Sequence, residues 1–400
     1  MKRRRVKITG LGFVTPAGIG KEEFWRGILE PVSRVTAKKN YPEEAGPFVA
    51  AEVKGFKLED YVRDVSSKRM PRHTQFAVAA AALALADAGL TLTSLRGQLP
   101  LVMIGASLMD FGSINKGVDI IVRKGVVNGL PSSVFSASVS SIGGTIGELI
   151  GGTTRTLALQ SACCAGLDAI GHAYDMVANG EAEIALCGGT EAPLYFHPML
   201  ELKMAGLAPG NPVNPERQCR PFDLWRTTGV IGEGACVLLL EPEDSPRPGY
   251  ACIEGYSFAS DPLDDPGAGL YDAMKLAVAN AGVSISQIDC INAWGPGHKI
   301  VDQAEAKALR RLFGEGLMDI PVVSLKGAIG NPLGAGGAIQ VGCAALCMER
   351  SAIPPTVNWQ YPDPACPLNL SAQARYITHR TTLVDAHGLS GTNTCLVLTR

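Results

Sequence analysis

Short apolar runs alternate along the chain with longer stretches at helical spacing, which predicts strands and helices taken in turn. Val6-Lys7-Ile8-Thr9-Gly10-Leu11-Gly12 reads as a strand entering a Gly-rich turn. From about residue 67 to 88 the chain is Ala-rich and apolar all round, the signature of a helix covered on several sides. Buried strands are predicted at 101–107, 183–189 and 233–241, and residues 209–221 read as a surface loop. Residues 132–150, rich in Ser and Gly, suit a close interface or a pocket wall. The polar, Pro-rich segment 243–249 is a boundary. Beyond it the pattern restarts: strand 251–255, helix 269–281, strand 288–293, helix 302–313, strand 322–324, apolar helix 335–350 and a final strand pair. Strands this apolar call for helices on both sheet faces. The expectation is an α/β fold with an internal pseudo-repeat, divided into 1–248 and 249–400.

One turn carries candidate chemistry. Thr154-Arg155-Thr156-Leu157-Ala158-Leu159-Gln160 reads as a strand, and Leu167, Ala169, Ile170, Ala173, Tyr174 and Val177 keep helical spacing until Asn179-Gly180. Ser161-Ala162-Cys163-Cys164-Ala165-Gly166 lies between them, so Cys163 falls at or just before a helix N-terminus. Unpaired N–H groups and the helix dipole there favour an anion, which predicts a thiol of lowered pKa and a nucleophilic thiolate. The competing reading is a small buried hydrophobe. Cys164 reads as packing.

Composition narrows the rest. A net charge of −2 offers no field for nucleic acid or an anionic membrane, and no apolar run is long enough to span a bilayer. No signal peptide is expected; Lys2-Arg3-Arg4-Arg5 reads as a solvated flank of the first strand. The eleven cysteines lie mostly in apolar runs without a Cys-x-x-Cys pair, as reduced thiols of a cytoplasmic protein would. The opening Gly-x-Gly lacks the third glycine and the acidic residue of a dinucleotide site. No metal constellation or phosphate loop stands out, so no cofactor is expected.

Taken together, the Cys163 turn, Ile8-Thr9-Gly10-Leu11-Gly12, Cys187-Gly188-Gly189-Thr190-Glu191, Arg220-Pro221-Phe222-Asp223 and Gly232-Glu233-Gly234-Ala235 resemble the elongating β-ketoacyl-[acyl-carrier-protein] synthases of the thiolase superfamily. So do Asp302-Gln303-Ala304-Glu305-Ala306, Lys326-Gly327, Gly334-Ala335-Gly336-Gly337-Ala338, Pro354-Pro355-Thr356-Val357-Asn358 and Gly391-Thr392-Asn393. The resemblance implies a thiolase-like five-layered α-β-α-β-α fold and an obligate homodimer, or a heterodimer with another ketosynthase. It also implies that Cys163 accepts an acyl chain from acyl carrier protein, with Lys326 and Glu305 paired nearby.

The chain departs from the family at its two catalytic histidines, which are matched by Trp294 and Asn331. The threonines beside the malonyl site are matched by Pro296 and His298, and the Phe-rich gating loop by Ala386-His387-Gly388-Leu389-Ser390. Trp294 offers one N–H and no base, while Asn331 can donate to an oxyanion but cannot shuttle a proton. His387 is a candidate base for Cys163 or a loop histidine satisfied by backbone; His298 stands at the old malonyl site or in a surface loop. His172 reads as structural, and His73, His197 and His379 carry no signal. Arg63, Lys68, Arg69 and Arg72 are candidate carrier-docking cations by resemblance. Residues 138–148 set acyl-chain room or allow close helix packing. Three functions follow: a divergent acyltransferase of fatty-acid or polyketide type, a non-catalytic partner subunit like the chain-length factors, or acyl binding or hydrolysis at Cys163 without condensation.

Overall fold

The structure, a computed structural model, describes residues 3–210 and 213–400. Lys2, part of the expected 209–221 loop and the side chain of Arg69 lie outside the described residues. Among the described residues the main sheet has eleven strands: the two-residue strand Gly18–Ile19, paired to the end of the first strand, and two units of five. The first holds β1 (Val6–Thr15), β2 (Leu101–Gly105), β3 (Arg155–Leu159), β4 (Ala185–Glu191) and β5 (Gly234–Pro242) in the order β3-β2-β4-β5-β1. The second holds β6 (Cys252–Ser260), β7 (Cys290–Asn292), β8 (Val322–Val323), β9 (Thr381–His387) and β10 (Thr392–Thr399) in the order β8-β7-β9-β10-β6. Each unit thus repeats the same order, with its second strand parallel to both neighbours and its last antiparallel to both. That repetition is the expected pseudo-repeat. The units touch where β1 pairs with β6, at Val6–Ile253 and Lys7–Cys252, which joins them into one hydrogen-bonded sheet.

Helices sandwich both units. α1 (Arg72–Asp87) and α2 (Ser140–Ile150) cover the outer face of the first, α3 (Ala165–Ala178) and α6 (Gly336–Arg350) lie between the units, and α4 (Ala268–Ala281) and α5 (Lys299–Phe313) cover the second. Strand alternation feeds all three cores: Val237 and Leu239 point to the α1 side, Cys236 and Leu238 to the middle. α6 is buried from Gly336 to Met348, which explains why its sequence is apolar on every face. The alanines of α1 meet glycines: a Cβ on Gly10 or Gly12 would lie 2.2 or 1.9 Å from the carbonyl oxygens of Ala84 or Ala80.

Three expectations change. The helix predicted from residue 67 begins at Arg72, because Pro71 holds Met70 in an extended conformation and leaves Ser67–Arg69 as a separate 3₁₀ turn. Arg72 is no free docking cation: its guanidinium is bidentate on buried Glu233, with contacts of 3.0 and 2.7 Å, and also donates to Val53 O. Arg3, Arg4 and Arg5 are more than a solvated flank, for they pair with Asp175, Glu183 and Glu254 and tie the start of β1 to α3, to the segment before β4 and to β6. Among the described residues, no helix is long and apolar enough to cross a membrane.

Candidate active site

β3 leads through a 3₁₀ turn, Ala162–Cys164, directly into α3. Ala162 sits at φ 52°, the left-handed region that a side chain disfavours, and this sharp reversal holds Cys163 at the head of the helix. The turn is locked from the far side. A second 3₁₀ turn, Leu333–Ala335, precedes α6, and a Cβ on Gly166 would lie 2.4 Å from the Gly334 carbonyl oxygen. Buried Glu191 accepts N–H bonds from Ser107 (2.8 Å) and Gly334 (3.0 Å), joining β4 to the chain that leaves β2 and to the second turn. Its burial raises the Glu191 carboxyl to about 7.

Cys163 opens into a narrow cavity lined also by Trp294, His298, Asn331, His387 and Leu389, with about 20 Å³ of room for water, little more than one molecule. Four of the six residues expected at the site, Cys163, Trp294, Asn331 and His387, therefore share one pocket. His298 joins them, against the surface-loop reading: it caps α5, and its backbone bridges to Thr227 and Thr228 carry it to the cavity wall. Leu389, half exposed at 53%, is the rim residue.

The thiol itself reverses an expectation. Cys163 is only 6% exposed, and burial pushes it up to about 12, with the Glu191 carboxylate adding to the rise. Donation from Leu389 N–H and the charge of Lys326 act downward but do not prevail. Desolvation of a thiolate outweighs the favourable helix end. Cys164 packs as expected, its sulfur donating to Thr392 O (3.3 Å) and Ala386 O (3.5 Å).

Lys326 and Glu305 lie behind the pocket wall, and they are not the ion pair that was expected. Lys326 Nζ donates to Gln340 Oε1 (2.5 Å) and sits 4.0 Å from the Trp294 ring centroid. Gln340 is itself fixed by donating to Asn292 O (2.9 Å) and Asp385 O (3.0 Å), so it reaches the amine first. Glu305 instead accepts from the backbone N–H groups of Trp294 (2.7 Å) and Gly295 (2.8 Å), and Asp385 takes a share of the Trp294 N–H at 2.8 Å. Burial lowers Lys326 to about 7 against the pull of Glu305 and Asp385. Burial and the Asp385 charge raise Glu305 well above the carboxylate range, while Asp385 rises to about 6. Together these groups anchor the segment that presents Trp294. Asn331 is held by its backbone to Val230 (2.7 Å) and accepts from Leu333 N–H through Oδ1 (3.2 Å), which leaves its amide NH₂ as the donor face.

His387, 7% exposed, meets Asn393 Oδ1 through Nδ1 and stands 3.9 Å from Asp261. Asn393, Asp261, Gln340 and Asp385 are absent from the sequence-derived set of site residues. The one signal for them lay in motifs: Asn393 closes the Gly391-Thr392-Asn393 match, and Asp385 is a charge inside a buried strand. Among the described residues, no three His, Cys, Asp or Glu side chains are placed to hold a metal ion.

A buried cysteine on a strained turn, two facing helix ends and a duplicated sheet unit define a class. Residues 3–245 match the model of the β-ketoacyl synthase N-terminal domain and 250–360 that of the C-terminal domain; the chain belongs to the β-ketoacyl synthase family. It is 31% identical to 3-oxoacyl-[acyl-carrier-protein] synthase 2 of Coxiella burnetii, covering 100% of this chain and 99% of the relative. It is also 31% identical to a putative polyketide β-ketoacyl synthase 1 of Streptomyces virginiae, covering 100% and 98%. Among solved structures, the ishigamide ketosynthase/chain length factor superimposes with a TM-score of 0.91 at 29% identity, over 99% of each chain. The AntDE:AntF structure, a type II polyketide acyl-carrier protein in complex with its ketosynthase, gives 0.90 at 28% over 99% of each.

Proposed function

We propose that the protein is a divergent acyltransferase of the β-ketoacyl-[acyl-carrier-protein] synthase type, serving fatty-acid or polyketide-type lipid synthesis. Cys163 takes an acyl chain from acyl carrier protein as a thioester, and the Asn331 amide with nearby backbone N–H groups stabilises the oxyanion. The observation that carries this reading is the placement of Cys163 on the strained turn in the wall of the shared pocket. On the malonyl side the Cys-Trp-Asn set holds no proton-transfer group at positions 294 and 331, so decarboxylative condensation is slow or replaced. The cavity is too small for an acyl chain as it stands, and Leu389 at the rim is the residue that moves to admit one.

We read residues 1–248 and 249–400 as the two thiolase-like halves of a cytoplasmic protein that works as a dimer, with itself or with a second ketosynthase. In support, β3 is the edge of its unit with Thr156, Leu157 and Ala158 exposed, and Val134 and Phe135 are each 74% exposed. Unpaired edges and apolar patches of this kind invite a partner. The second reading, a non-catalytic partner subunit, is favoured by the filled pocket, where buried Trp294 occupies space beside Cys163.

Malonyl-carrier protein added to the acylated enzyme separates the two. The expected result is a Cys163 acyl adduct that condenses far more slowly than in a synthase with both histidines. Absence of any adduct, together with stimulation of an intact ketosynthase on mixing, would establish the partner reading instead.

A further inference from the structure

Cys163 is protonated at neutral pH, so acyl transfer onto it needs a base, and the positions matched to the family's histidines hold none. Two other histidines line its cavity, His298, whose Nδ1 accepts from Val301 N–H at the head of α5, and His387. The segment 386–389 lies against the Cys163 turn: Cys164 donates to Ala386 O, and a Cβ on Gly388 would lie 3.4 Å from that of Ala162. His387 is the member of this segment whose ring lines the Cys163 cavity from β9.

Its tautomer is set from behind. Asn393 Nδ2 donates to Asp261 Oδ1 (2.9 Å) and Gly391 O (3.0 Å), two groups that can only accept, which turns Asn393 Oδ1 toward the ring. An amide oxygen carries no proton, so His387 Nδ1 must donate to it, and Nε2 keeps a free lone pair. Asp261 is held by Gly269 N–H at the head of α4 (2.8 Å), with Oδ2 3.9 Å from Nδ1. The arrangement of nucleophile, base and orienting amide recurs in Cys-His-Asn enzymes of unrelated fold.

We propose that Asn393 and Asp261 are positioning residues that hold His387 as the general base for acyl transfer onto Cys163. As Sγ bonds to the thioester carbonyl carbon, Nε2 takes the thiol proton. When the tetrahedral intermediate collapses, the bond from carbon to the carrier's sulfur breaks and Nε2 returns the proton to that sulfur. One thioester replaces another, with no net oxidation or loss of charge.

The inference rests on Cys163 being the acyl acceptor, and the test keeps the two apart. Acylation is timed by intact mass with acyl-pantetheine thioesters. Replacing His387 by Ala is expected to slow the adduct by about 100-fold or more, with partial rescue by added imidazole. N393A is expected to slow it about 10-fold without that rescue, since its ring is present but misoriented, whereas D261N, which keeps an acceptor, loses less. In the wild-type protein, ¹⁵N shifts of His387 are expected to show Nδ1 protonated, a readout that survives even if a variant misfolds. A wild type that forms no adduct would overturn the Cys163 reading and the relay with it. Unchanged rates in H387A, or an Nε2-protonated ring, would overturn the relay alone.

Discussion

The turn that carries Cys163 has a counterpart in the other half of the molecule. Ala162–Cys164 follows β3 and opens α3; Leu333–Ala335 follows β8 and opens α6. Each begins with a non-glycine residue in the left-handed region, Ala162 at φ 52° and Leu333 at φ 44°, and the two helices are the buried middle layer. The approaches differ. From β3 to its turn the chain needs only Gln160 and Ser161, whereas the path from β8 runs through Lys326 and Asn331. Duplication of one unit thus brings two helix N-termini to a single point, where one supplies the sulfur and the other supplies donors and a wall.

The contact between the turns should be the easiest feature to break. Gly166→Ala would drive a Cβ to 2.4 Å from a backbone oxygen that cannot swing away, so a loss of about 2–4 kcal/mol is expected in urea unfolding. Gly144→Ala in α2, which meets nothing within 4 Å, should instead be neutral or stabilise by up to about 1 kcal/mol. Equal effects would show that the turns are not interlocked. The chemistry of the first turn is read by alkylation: with the thiol near 12, iodoacetamide labelling of Cys163 should climb about tenfold per pH unit from 7 to 9. A plateau below pH 8 would mean that the helix end wins over burial.

The second approach segment has its own titration. Lys326 falls from 10.5 unfolded to about 7 folded, so between those values the native state binds fewer protons than the unfolded chain. Stability contributed by this residue therefore rises with pH across that window. The difference between wild type and Lys326→Met should grow from pH 7 to 9 in the wild type's favour, and a flat difference would place the amine in contact with water. The smallest effect is backbone relief: Ala162→Gly should change stability by no more than about 1 kcal/mol, while Leu333→Gly also strips a buried side chain and should cost about 2–4 kcal/mol.

The order of strands and helices was legible because both units alternate buried runs with helical spacing, and the elbow at Cys163 because a strand, a small-residue turn and a helix adjoin in sequence. What the sequence concealed depends on contacts made at long range. The thiol rises chiefly through burial, with a further contribution from Glu191 on β4, which does not adjoin Cys163 in the chain. Lys326 bonds Gln340 of α6 rather than Glu305 of α5, a choice made between two helices distant in the chain. Asp261 and Asn393 meet His387 only through the pairing of β6, β9 and β10. Trp294 and Asn331 were singled out in the sequence, yet only the fold shows them lining the same cavity as Cys163.

The most direct measurement is to treat the protein with an acyl-carrier thioester, digest it, and map the adduct over its eleven cysteines. The account predicts a single acylated peptide, the one containing Cys163, lost in Cys163→Ala. An adduct spread over other cysteines, or none at any chain length, would contradict it.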